Sequence, residues 1–174
     1  MSQDFVYRRQ RAILESLSRL PEHLIKYHTE DRLADLVLHH LCKDDCFGMQ
    51  KAAYLVNNPD FACLKGVSGW HKDHVAYESC PWSDQEAVRS RLEQSPFHKS
   101  IQNIDACAVD HQVDGQEILD IAQQLGFENP AYVVFPIKHD NEGIFLYEKM
   151  HNDVHELTST IHRGACYLGL CPVV

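Results

Sequence analysis

At 174 residues the chain has the size of one domain and can bury a proper core. Apolar residues make up 44% and charged residues 24%, which excludes intrinsic disorder. Sixteen basic against twenty-five acidic side chains leave a formal charge of −9. An acidic surface repels phosphate backbones, so direct nucleic-acid binding by this domain is not expected.

The basic cluster Arg8, Arg9 and Arg11 reads as a solvated helix face. The opening MSQDFVYRRQ has charge but no apolar block behind it, so no export signal is read. The uncharged run at residues 164–174 is far short of the ~20 residues that span a bilayer, and no membrane partner is expected. Cys42, Cys46, Cys63, Cys80, Cys107, Cys166 and Cys171 are odd in number, and without an export signal they are expected as free thiols in a reducing cytoplasm.

Residues 5–20 set Phe5, Ile13, Leu17 and Leu20 at helical spacing, and Pro21 interrupts or restarts that helix. Leu24, Ile25, Leu33, Leu36, Val37 and Leu41 continue a helical period to about Cys42, where Asp44, Asp45 and Gly48 mark a break. Residues 53–56 are a short β-type run. Asn57-Asn58-Pro59-Asp60 turns it, because proline presets φ and Asn and Asp bond their own backbone. Phe61, Cys63, Leu64, Val67 and Trp70 return as the second strand of a hairpin.

Residues 71–82 read as a polar loop with aromatic insertions. Ser83, with Glu86 three residues on, predicts a capping box and a surface helix that Pro96 ends. Residues 104–109 read as a strand. Asp114 with Glu117 opens a further helix, with Ile118, Leu119, Ile121, Ala122 and Leu125 as its buried face and Gly126 as its stop. Residues 131–137 form a nearly continuous apolar strand. Asn141-Glu142-Gly143 is read as the turn, and Ile144, Leu146 and Tyr147 return. Asn152 or Asp153 then caps a helix with Val154, Leu157, Ile161, Ala165 and Leu168 on one face, and Pro172 ends it.

Three stretches of this order resemble a GAF domain. DRLADLVLHHL followed by AAYLVNNPDFACLKGVSGW is similar to the family's long helix and first hairpin. LDIAQQLGFENPAYVVFPIKHDNEGIFLYEK is similar to its short helix, Leu-Gly turn, strand and return, with Pro136 and Gly143 at matching positions. The closing helix is the third. The resemblance covers residues 30–170 and implies an α+β fold: a GAF-like (profilin-like) antiparallel sheet with N- and C-terminal helices on one side and short helices and loops on the other. On that reading the chain is one domain, with residues 1–29 as an N-terminal helical extension. The segment 71–112 departs from the cyclic-nucleotide, bilin and haem subfamilies, and the Gly-rich stretch of free methionine-R-sulfoxide reductase is missing.

The resemblance also implies a ligand pocket formed by Trp70, His71, His74, Tyr77, Cys80, Trp82, Cys107, Asp110 and His111. Aromatic faces with a few polar groups are what small-molecule recognition needs. It further implies pairing into a homodimer through the terminal helices, whose apolar residues Ile13, Leu17, Leu20, Leu24, Leu157, Ile161 and Leu168 serve either that pairing or the chain's own sheet. The leading expectation is therefore a small-molecule-sensing regulatory domain of a cytoplasmic signalling or transcriptional-control protein, with no catalytic motif read in it and no particular cofactor indicated. A thiol-based enzyme or redox sensor using Cys80 or Cys107 is the alternative, since a helix N-terminus after Cys80 would favour its thiolate. A metal-binding module is the third, through His71, His74 and Cys80 with Cys107 or His111, but the chain has no C-x2-C pair and no HExxH. His39 and His40 point about 100° apart on a helix and cannot chelate together. G-x-S-x-G, G-x-G-x-x-G and G-x-x-x-x-G-K are all missing from the sequence.

Overall fold

The structure is a computed structural model that describes residues 3–61, 63–74, 80–107, 114–149 and 157–172. Five strands form one antiparallel sheet in the order β3-β2-β1-β5-β4, with β1 (Met49–Asn58) at its centre. β1 pairs with β2 (Cys63–His71) on one side and with β5 (Glu142–Lys149) on the other. β3 (Asp105–Cys107) and β4 (Ala131–Pro136) are the edges.

Helices cover both faces, which is why β1 reads as continuously apolar rather than alternating. Ala52, Tyr54 and Val56 of β1 point into one core, with Trp70, Phe135, Phe145 and Tyr147 from their neighbours. Above them lie α1 (Gln3–Ser18), α2 (Leu20–Lys26), α3 (Leu33–Cys42), α4 (Gln85–Gln94) and α7 (Thr158–Ala165). Ala53 and Leu55 point the other way, with Leu64, Ile144 and Leu146, against α5 (Pro96–Gln102) and α6 (Gly115–Gln124). The molecule is thus α+β, a helix–sheet–helix sandwich with the terminal helices together on one face. No described helix is long and apolar enough to cross a membrane.

Several local outcomes differ from the sequence reading. The cap of α4 is Asp84, whose carboxylate accepts from Ala87 N; Ser83 donates its hydroxyl proton to Cys80 O instead. α4 stops at Gln94, before Pro96, as read, but Pro96 also opens α5, where a missing N–H costs nothing, and Ser95 caps it by accepting from His98 N at 3.3 Å. On the opposite face of β2, Gly66 and Gly69 leave room for α5, because a Cβ at either would run into Ile101. α4 sits with the terminal helices, its Val88 and Leu92 buried in their core, tied to α3 by Arg32–Glu93 and to the α2–α3 loop by Arg89–Glu30. The reversal between β4 and β5 falls at His139 and Asp140, both with positive φ, and not at residues 141–143. Gly143 lies inside β5, where a Cβ would overlap the Phe135 ring.

The Asp114–Glu117 box forms as read: Asp114 Oδ1 accepts from Gln116 N and Glu117 N at 2.8 and 2.9 Å, and Glu117 Oε2 accepts from Asp114 N at 3.0 Å. Ile118 and Ala122 make its buried face. The expected caps Asn152 and Asp153, and Val154 beyond them, lie outside the described residues. Leu168 falls in a separate 3-10 turn, Leu168–Leu170, after α7. Ile13, Leu17, Leu20, Leu24, Ile161 and Leu168 are all buried within the chain's own core, so those faces are spent on the sheet rather than left for a second copy.

Candidate functional site

A groove of about 820 Å³ opens at the end of the sheet where both hairpins turn. Its size falls in the range of small-molecule sites, about 300–1,000 Å³. One wall is the β1–β2 tip. There Asn58 Oδ1 accepts from Asp60 N and Phe61 N at 3.1 and 3.3 Å, which holds the 3-10 turn Pro59–Phe61 and throws Phe61 outward, 78% exposed. The other wall is the β4–β5 tip, closed by Ile137 N donating to Asn141 O at 2.9 Å. Val56 lies at the base, and the turn Leu168–Leu170 runs past it into Cys171 and Pro172. Gly169 lets that turn lie against β4, since a Cβ would come within 2.8 Å of Ile137 Cγ2.

The lining is apolar at Val56, Phe61, Ile137 and Leu170 and polar at its rim. Lys65 and Lys138 bring positive charge, His28 and His139 bring imidazoles, and no carboxylate is among the described lining residues. Asn141 Oδ1 is shielded from solvent and has no hydrogen-bond partner among the described residues. The Cys171 thiol is pushed up to about 12, chiefly by burial and then by the Asp35 carboxylate. It is therefore inert as a nucleophile near neutral pH.

The residues the sequence singles out are distributed otherwise. Trp70 and His71 are neighbours on β2 and so face opposite ways. Trp70 is buried edge-on to His39, at 6.4 Å between ring centroids. Trp82 is buried in the same core, stacked on His23 at 4.4 Å and on Tyr27 at 5.7 Å. Its indole N–H donates to His40 Nδ1 at 3.0 Å, so the His40 proton sits on Nε2 and goes to Ser16 O at 3.1 Å. Burial holds His40 down to about 4, against the raising effect of Ser16. Trp82 is thus a pin between α1, α2 and α3.

His71 and His74 do meet, stacked at 4.2 Å, with His71 also edge-on to Phe97. His74 Nδ1 lies 3.3 Å from Ser95 Oγ. Cys80 is exposed, and its carbonyl accepts from Ser83 and Asp84 N–H groups while the Asp84 carboxylate occupies the start of α4. Cys107 is placed on β3 opposite Cys63. Tyr77, Asp110 and His111 lie outside the described residues. No group of three or more His, Cys, Asp or Glu among the described residues is arranged to hold a metal ion.

A second buried network surrounds His98. The Arg32 guanidinium can only donate, so His98 Nε2 accepts from it at 3.2 Å and the ring proton is on Nδ1, which lies 3.2 Å from both Gly69 N and Gly69 O and donates to the oxygen. Arg32 also pairs with the buried Asp35 at 2.7 Å. The network joins α3 to α5 and β2 and is structural in character. The groove residues escape the sequence reading because they look like turn chemistry. The available signal is Lys138-His139 beside an outward Phe61 in an otherwise acidic chain. Comparisons of the chain with protein-family models, with curated proteins and with solved structures find no match.

Proposed function

We propose that the chain is a small-molecule-sensing regulatory domain of GAF-like build, acting in the cytoplasm, with its ligand seated in the hairpin-tip groove. The observation that carries this is the origin of the groove's walls. They come from two hairpin tips of the sheet, the α2–α3 loop at His28 and the C-terminal turn through Leu170. An occupant therefore bridges the sheet to the helical layer, and binding energy that depends on their spacing biases one arrangement over another. The antiparallel sheet with both terminal helical segments on one face supports the family resemblance.

A thermal-shift screen of small amphipathic molecules, run on the native chain and on Phe61→Ala/Leu170→Ala, tests this. Both side chains are exposed, so the variant keeps its fold. Compounds that stabilise the native chain and lose their effect in the variant are expected. Equal shifts in both proteins, or none in either, overturn the reading. The reading includes a homodimer; because the inward apolar faces are spent, outward Tyr7, Leu14 and Ile25 on α1 and α2 are left to make it. Light scattering is expected to give twice the 20.0 kDa chain mass at micromolar concentration, and the single-chain mass throughout refutes it.

A further inference from the structure

We propose that the groove selects an amphipathic carboxylate: a small molecule with one carboxylate head and a flexible apolar body. This rests on the ligand-sensing reading and adds the class of ligand. Acidic residues outnumber basic ones 25 to 16 along the chain. The groove inverts that balance, with Lys65 and Lys138 in its lining and no carboxylate among the described residues there. Lys138 is exposed on the tip and makes no ion pair among the described residues.

The second observation is the pair Phe61 and Leu170, which are 78% and 62% exposed and both line the groove. An apolar body laid between them removes apolar surface from water on both sides.

The charge pattern favours a carboxylate over a phosphate. Phosphate sites draw on Arg forks, nests of backbone N–H groups or helix N-termini. The groove's lining includes no arginine and none of the first residues of a helix. Lysine point charges, without such a fork or nest, match a singly charged head.

Isothermal titration of the full chain with octanoate, 1-octanol and octyltrimethylammonium tests the inference, each below its aggregation limit. Octanoate is expected to bind most tightly. Lys138→Glu, an exposed change, is expected to weaken octanoate about tenfold, the worth of one charge-assisted hydrogen bond, and to leave octanol unchanged. Octanol binding as tightly as octanoate, or Lys138→Glu weakening both equally, overturns the carboxylate class while leaving a ligand groove in place. Octyltrimethylammonium binding most tightly overturns it too, as does failure of all three to bind. The thermal-shift screen then judges the broader reading separately.

Discussion

Acid should destabilise this protein well before its carboxylates titrate. His39 and His40 are adjacent on α3, yet both are buried, one against Trp70 and the other against Trp82. Burial is the main cause that holds each down to about 4, from an ordinary value of 6.5. Above 6.5 both histidines are neutral whether the chain is folded or not, and stability is complete. Between 6.5 and 4 the unfolded chain takes up protons that the native state refuses, so stability falls as pH falls. Each histidine contributes about 1.4 kcal/mol per pH unit across that window, and the two together about 2.7. His98, lowered first by burial, adds in the same direction. Moving from pH 7.5 to 5.5 should therefore remove about 3 kcal/mol from a net stability of order 5–15. With a urea slope of about 2 kcal/mol/M, the unfolding midpoint drops by about 1–1.5 M. Urea titrations followed by circular dichroism at the two pH values measure this. A midpoint that moves by less than about 0.3 M would refute the burial of the two rings as neutral imidazoles.

Trp82→Phe keeps an aromatic ring but removes the N–H that His40 Nδ1 accepts, leaving a buried acceptor unpaired. The expected loss is about 2–4 kcal/mol in urea unfolding, and a loss under about 0.5 kcal/mol removes Trp82 as a pin. Tyr54→Phe deletes a hydroxyl that is buried with no partner among the described residues. It should be neutral or stabilising by up to about 1 kcal/mol, and a clear destabilisation would show that the hydroxyl is hydrogen-bonded. Thiol labelling with a disulfide reagent at neutral pH should modify the exposed Cys80 and Cys166 first. Cys42, Cys46 and Cys171, whose thiols burial pushes up, should follow only on unfolding; prompt labelling of Cys46 would contradict the packing of α3.

The first hairpin was legible because Asn57-Asn58-Pro59-Asp60 leaves the backbone little choice, and Asn58 makes the side-chain bonds that such a turn demands. The Asp114–Glu117 box was legible for the same local reason. Errors came where one residue type serves two ends. Pro96 is both a stop and a start: α4 ends before it as read, and the start of α5 on it shows only in the Ser95 side chain accepting from His98 N. Gly143 suggests a turn, but its role is to lie under the Phe135 ring, a contact made across strands. Two-residue alternation already implies that Trp70 and His71 cannot line one cavity. The groove itself was illegible: His28, Val56, Lys138 and Leu170 come from four separate segments, and no motif connects them.

The position of the groove follows from how the helical layer ends. α3 and α7 lie over the sheet, and α1 and α2 stack in the same core, so Ala52, Tyr54, Phe145 and Tyr147 are sealed. Towards the hairpin tips the cover thins to the turn Leu168–Leu170 and the loop at His28. Leu168 is fully buried and fixes one end of that turn, whereas Leu170, two residues on, is largely exposed. The turn is held by single backbone bonds: Gly169 N to Cys166 O, Leu170 N to Tyr167 O and Cys171 N to Leu168 O. Such short, partly exposed turns sit at the low end of local stability, and the helix before them does not. On the proposed ligand-sensing reading, an occupant of the groove would act on the free end of a lever whose other end is seated in the core. On that reading the response with the least cost is a shift of residues 169–172 relative to Ile137 and Val56, and the sheet would not need to deform for a ligand to be registered.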